Sequence, residues 1–122
     1  MGKIIRCNVS QPRVKEAAWQ YDFGKSLLVE GLPEYEGSTI SIHFAAHEYK
    51  GTVTEVPATV TEEGILAPIP DKYFRNDDTT HDYNIYAFVY VTTGKSARTV
   101  ARIIIPIESR SKPADCPASS GS

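Results

Sequence analysis

Apolar and polar positions alternate along most of the chain with the period of a β-strand rather than that of a helix. Residues 3–9 (KIIRCNV) put Ile5, Cys7 and Val9 on one face. Residues 18–23 (AWQYDF) put Trp19, Tyr21 and Phe23 on one face and Gln20 and Asp22 on the other. Residues 26–31 read as a short strand ended by Gly31 and Pro33. In residues 39–45 (TISIHFA), Ile40, Ile42 and Phe44 point inward and Ser41 and His43 outward. Residues 51–60 are rich in β-branched side chains but carry Pro57, which predicts an edge strand or a bend. Residues 64–70 give another short strand. Residues 70–74 (PDKYF) predict one turn of helix, with Tyr73 and Phe74 packing back, and residues 75–82 a polar loop.

The strongest pattern lies in residues 83–91 (YNIYAFVYV) and 97–107 (ARTVARIIIPI). The first run places Tyr83, Ile85, Ala87, Val89 and Val91 on one face and Tyr86, Phe88 and Tyr90 on the other. Both faces are apolar, so the strand is central or meets a partner. The second run sets Thr99, Ala101, Ile103, Ile105 and Ile107 against Arg98, Val100, Arg102 and Ile104. Pairing must keep the aliphatic faces together, because a slip of one residue reverses every side chain. A three-residue loop, Thr92-Thr93-Gly94, meets that demand with Gly94 left-handed, Val89 opposite Ala97 and Ala87 opposite Thr99. A longer loop of the same parity serves as well.

About seven to eight short strands, with turn residues between them, predict an all-β fold. The expected architecture is an antiparallel immunoglobulin-like β-sandwich with a short helical turn near 70–75. Residues 1–107 form the domain, and residues 108–122, Pro- and Ser-rich, form an exit linker or tail whose final SSGS suits a scar or a truncation point. The length of 122 residues fits one domain.

A net charge of −2, from 13 basic and 15 acidic residues without a basic run, argues against a nucleic-acid partner. No apolar stretch reaches membrane-spanning length, so no membrane insertion is expected. The start carries no apolar leader segment, and Arg6 stands where a myristoylation signal wants Ser or Thr. The chain is therefore expected to be made in the cytoplasm and to stay there or leave within an assembly. Cys7 and Cys116 do not make a disulfide framework.

Several motifs promise chemistry and fail on context. Gly94-Lys95-Ser96 and Gly24-Lys25-Ser26 look like the end of a phosphate loop, but Val89 and Trp19 stand where the first glycine belongs. Both matches lead into strands instead of the helix that would hold the phosphates. His43 and His47 have zinc-helix spacing, yet on a strand they stand about 13 Å apart. Asp77, Asp78, Asp82 and His81 lack the calcium-loop pattern. No nucleophile–base–orienter set stands out, and no cofactor, metal or catalytic residue is assigned. The aromatics leave a choice. Trp19 and Tyr21, and Tyr86, Phe88 and Tyr90, are plain core, an assembly surface, or a stacking platform for the apolar faces of a ligand.

YAFVYVTTGK (residues 86–95), TVARIIIPI (99–107) and SKPADCP (111–117) resemble an N-terminal domain of phage and prophage structural proteins of Gram-positive hosts. Those proteins are described as tail-fibre-like or baseplate-upper-like. IIRCNVS (4–10) and YDFGKSLLVEGL (21–32) are similar to its opening. The family pattern ends in Ile-Pro-Val where this chain has Ile105-Pro106-Ile107, and Cys116 stands where an aromatic is more common. The resemblance implies a non-enzymatic virion protein, found in the virion and assembled in the host cytoplasm. It docks onto other virion proteins and forms a homo-oligomer, a trimer among the options. Tyr86, Phe88, Tyr90, Trp19 and Tyr21 are the candidate contact surface, and Gly94 the hairpin turn. The alternative is a carbohydrate-binding β-sandwich that holds a cell-surface glycan on exposed aromatics.

Overall fold

A computed structural model describes residues 4–33, 35, 37–75 and 81–112. Within them the chain runs β1 (Ile4–Asn8), β2 (Ala18–Trp19), β3 (Ser26–Glu30), β4 (Thr39–Ala45), β5 (Thr54–Pro57), β6 (Thr59–Val60) and β7 (Ile65–Pro68). A 3-10 turn (Asp71–Phe74), β8 (Tyr83–Thr93) and β9 (Ser96–Glu108) follow. One sheet has the order β1-β3-β7-β6, the other β2-β9-β8-β4-β5. Their inner faces meet in a single core, so the fold is the expected β-sandwich. The expected polar loop at 75–82 falls partly, and the exit tail mostly, outside the described residues.

Two pairings depart from an all-antiparallel pattern: β1 with β3, and β2 with β9, are parallel. The reason is the path between β1 and β3, along which residues 9–25 cross to the opposite sheet, contribute β2, and return. A crossover of that length permits parallel neighbours, which a tight hairpin cannot. Residues 12–14 also run beside β9, with Val14 N–H donating to Ile104 O and Ile104 N–H to Pro12 O, both at 2.9 Å.

The core follows the period-two pattern. Ile40, Ile42 and Phe44 of β4 meet Ile85, Ala87, Val89 and Val91 of β8, and Ile103, Ile105 and Ile107 of β9, all buried. Leu27 and Val29 of β3, Cys7 of β1, and Ile65 and Ala67 of β7 close the other side. The 3-10 turn plugs one end of the sandwich with buried Tyr73 and Phe74. Tyr73 is tied down by its hydroxyl, which donates to Phe44 O at 2.7 Å. Pro57 ends edge strand β5, and the next strand, β6, belongs to the opposite sheet. A residue without an N–H suits that passage.

The β8–β9 hairpin corrects the expected register. Thr93 pairs with Ser96, so the loop has two residues, Gly94 and Lys95. Gly94 takes φ +57° and Lys95 no positive φ, the pattern of a type II′ turn. Continued unbroken, that turn would put the wrong face of β9 inward. A β-bulge restores the phase: Tyr90 pairs with Thr99 but Val89 with Ala101, leaving Val100 as the extra residue. Ala87 then faces Ile103 rather than Thr99. The aliphatic faces stay together as required, but Thr99 and Arg98 exchange sides relative to the simple alternation.

Residues 18–23 form no six-residue strand. Ala18 and Gln20 are buried and Trp19 is exposed. The strand then breaks into a turn, in which Asp22 N–H donates to Trp19 O at 3.1 Å and Tyr21 takes φ +72°. The left-handed residue destroys the alternation that would have aligned Trp19, Tyr21 and Phe23. Gln20 faces inward because its Oε1 accepts the Arg110 N–H at 3.2 Å, where the chain leaves β9.

Two glycines give a test of the turns. A Cβ on Gly64 would lie 2.1 Å from Val29 O, backbone that cannot step aside, whereas one on Gly94 meets nothing and suffers only from φ. Gly64→Ala is expected to lose about 1–3 kcal/mol, in the range of an overpacked core. Gly94→Ala is expected to lose about 1 kcal/mol. Urea unfolding curves check both: the midpoints should fall in that order with the slope unchanged.

Candidate functional site

The outer face of the five-stranded sheet gathers most of the candidate residues. Strand register sets them in rows. Glu55 of β5, His43 of β4, Phe88 of β8 and Arg102 of β9 make one row. Pro57, Ser41, Tyr90 and Thr99 make the next on one side. Ala45, Tyr86 and Ile104 make the row on the other. The result is an aromatic strip along β8 bordered by polar side chains.

Tyr86, Phe88 and Tyr90 are all half-buried, so they are neither core nor freely displayed. Neighbours on the same face cover part of the strip. The rings of His43 and Tyr90 lie 4.5 Å apart, tilted by 32°. Glu48, from the β4–β5 loop, forms an ion pair with Arg102. His43, Arg102 and Glu48 thus belong to the surface, with Ser41 buried beneath them on the same face, features that the alternation of the aromatics alone does not show. The alternation in β4 already pointed Ser41 and His43 outward. What it lacked was the register that sets them beside Tyr90 and Phe88.

Ser41, His43 and Glu55 have the composition of a hydrolytic triad without its wiring. Ser41 Oγ lies 3.4 Å from His43 Nε2, and Glu55 Oε2 lies 3.9 Å from the same nitrogen. A triad needs the carboxylate on the other ring nitrogen, where it orients the base. Ser41 is also buried, which keeps its hydroxyl from a substrate. Among the described residues no group of three or more His, Cys, Asp or Glu is placed to hold a metal ion. His47 lies in the loop beyond β4, away from His43 on the strand.

Trp19 and Tyr21 do not join the strip. Trp19 pairs with Glu108, four residues along β9 from Ile104, the partner of Tyr86. That offset is about 13 Å along the strands, and two strand spacings add about 10 Å across. Trp19 is 46% exposed and Phe23 58%. Tyr21 is half-buried, with its N–H donating to Phe74 O at 2.6 Å. The aromatics therefore form two separate patches. Gly94 sits at the hairpin tip, exposed and remote from the middle of the strip.

One titration that the fold perturbs is structural. Cys7 is buried, and desolvation, helped by the nearby Glu30 charge, pushes its thiol above the ordinary value. Its Sγ lies 3.4 Å from Gln11 O. The folded chain holds the thiol proton more tightly than the unfolded chain does. That contribution to stability is complete below the ordinary thiol range and is lost as pH rises through the folded value. Alkylation by iodoacetamide, followed at Cys7 by peptide mass, is expected to be at least about a hundredfold slower in the native protein than in urea, since the thiolate is the reactive form. Equal rates would contradict the buried placement.

No protein-family model matches the chain, and no curated protein sequence matches it. Among solved structures the fold is similar to the N-terminal domain of phage TP901-1 ORF48. The TM-score is 0.50 at 13% identity, over 88% of this chain and 97% of that one. At that identity the likeness is one of fold. No helix among the described residues is long and apolar enough to cross a membrane.

Proposed function

We propose that the chain is a non-enzymatic structural module of a phage particle, a tail-fibre or baseplate component that works by docking onto other virion proteins. The observation that carries the reading is the fold likeness to a phage N-terminal domain, which spans nearly the whole of both chains. The resemblance of residues 86–95, 99–107 and 111–117 to phage structural domains supports it from the sequence side. The outer strip of Tyr86, Phe88 and Tyr90 supplies the contact surface: half-buried aromatics held by neighbours, ready to be covered at little entropic cost. On this reading the Pro- and Ser-rich residues 108–122 serve as a linker toward another copy or a distal part.

Size-exclusion chromatography with light scattering, on the chain alone and mixed with virion proteins encoded beside it, tests the reading. A stable complex with a tail or baseplate protein is expected. Phe88→Glu, at the centre of the strip, should weaken that complex by about thirtyfold or more, as a central interface aromatic does. The same change should leave the unfolding midpoint nearly unmoved, because Phe88 lies outside the core. A chain that joins none of those proteins would remove the reading.

One observation favours a second reading, a glycan-binding module: Trp19 is 46% exposed beside an exposed Phe23. Trp19 is the single tryptophan of the chain, so its fluorescence reports directly on that corner. Cell-wall glycans should shift the emission saturably if the corner stacks sugars, and a flat titration removes this alternative.

A further inference from the structure

An open cleft of about 510 Å³ lies at the end of the sandwich plugged by the 3-10 turn. It is walled by Ala46 and His47 of the β4–β5 loop, Lys72, Tyr73 and Arg75 at the turn, and Tyr83, Asn84 and Ile85 of β8. Among the described residues the walls carry a lysine, an arginine and a histidine and no carboxylate. The acids nearest in sequence among the described residues are engaged elsewhere. Asp71 Oδ1 accepts the Gly24 N–H at 3.1 Å, Asp82 Oδ1 accepts the Ser109 N–H at 3.0 Å, and Glu48 pairs with Arg102. Lys72 Nζ sits 5.4 Å from the Tyr73 ring centroid, a cation over an aromatic face.

Arg75 is the anomaly. Its Nε and Nη2 are shut off from water and have no hydrogen-bond partner. Donors of a charged group left in that condition are costly, and native proteins supply them with an acceptor. Nε and Nη2 are the two donors on one side of the guanidinium plane. Their N–H bonds run parallel, at the spacing of the two oxygens of a carboxylate, which binds such a fork bidentately. The wall beside this fork is rigid. Tyr73 is held by its hydroxyl to Phe44 O and to Thr54 Oγ1, and Tyr83 Oη donates to Tyr73 O at 2.9 Å. Beside the charges lie the apolar surfaces of Ala46 and Tyr83.

We propose that this cleft receives an acidic side chain from another protein chain, with its carboxylate on the Nε–Nη2 edge of Arg75 and apolar flanking residues against Ala46 and Tyr83. Binding requires the guanidinium to turn so that this edge, closed to water in the free chain, faces the cleft. Lys72 adds positive potential, and His47 a ring nitrogen, to the walls. The inference concerns the isolated chain and does not lean on a place in a virion.

The test is an NMR titration of the full chain, following the Arg75 Nε–Hε signal and the backbone amides of His47 and Asn84. The probes are N-acetyl-Leu-Glu-Leu-amide, its Gln counterpart, acetate and inorganic phosphate. The Glu peptide is expected to shift all three signals saturably in the millimolar range, and the Gln peptide to bind at least about tenfold more weakly. Acetate should act at the Arg75 signal alone, weakly, because it lacks the apolar flanks. Arg75→Lys keeps the charge but not the fork, and should cost about tenfold in affinity with an unchanged melting temperature. Asp77→Asn/Asp78→Asn should leave the affinity unchanged. Three results would overturn the proposal: no saturable shift with the Glu peptide, equal binding of the Gln peptide, or phosphate binding more tightly than the peptide. Binding that emerges only in the Asp77→Asn/Asp78→Asn variant would overturn it too, since the chain's own acids would then fill the cleft.

Discussion

The sandwich depends on keeping two long strands in phase. β8 and β9 supply seven of the buried aliphatic and alanine side chains that fill the core, from Ile85 to Val91 and from Ile103 to Ile107. Side chains on a strand alternate, so a register error of one residue exposes an entire set and buries polar groups instead. The type II′ turn at Gly94-Lys95 is compact and well matched to strand twist, but it sets the wrong parity. The bulge at Val100 corrects that parity before the buried half of β9 begins. Turn and bulge are thus one device. The first half of β9 can expose Arg98 and Thr99 while the second half, from Ile103 to Ile107, stays buried.

Much of this was legible in the residues. The inward faces of β4 and β8 follow directly from alternation, and Pro57 marked the edge where the chain changes sheets. The helical turn at Asp71–Phe74 was readable from Pro70 and the two aromatics after it. What failed were features decided by contacts far along the chain. The parity argument at the hairpin was sound, but it did not say whether loop length or a bulge would satisfy it. Residues 18–23 alternate as well as any strand here. Gln20 nevertheless turns inward because Arg110, ninety residues later, offers its amide, and Tyr21 adopts a left-handed backbone. Parallel pairing was invisible for the same reason, since it depends on a crossover and not on local pattern. The candidate surface was half legible. Tyr86, Phe88 and Tyr90 stood out, but His43 and Arg102 join them only through cross-strand register. Arg75 read as the first residue of a polar loop, and nothing local marked its guanidinium as unpartnered.

β8 is apolar on both faces, and the two faces meet different fates. The inner one is covered by the opposite sheet. The outer one is covered only in part, by rings and ion pairs lying on the same sheet. Tyr90 leans on His43, and Glu48 reaches over from its loop to Arg102. Such contacts limit the motion of the aromatics without removing them from solvent. A partner that lands on the strip meets side chains already held in place and loses less entropy on binding. The same contacts argue against chemistry on this face. The histidine's Nε2 is shared by a buried serine and a glutamate, leaving no oriented base for a substrate.

The strip and the basic cleft are contiguous, and that continuity joins the two proposals physically while each stands on its own. Asn84, a wall of the cleft, has the same parity on β8 as Tyr86, the first ring of the strip, one pleat repeat away at about 7 Å. A partner lying along β8 would cover aromatic area over the sheet and meet positive charge at its end. The two contributions differ in kind. Aromatic burial is nearly indifferent to which apolar surface arrives and would supply most of the affinity. A guanidinium fork accepts only an acceptor of matching geometry and rejects a cation or an unpaired apolar group. If both proposals hold, the face supplies area and the end supplies selection. On the proposal for the cleft, the cost of the unsatisfied arginine in the free chain is carried until an acid occupies it.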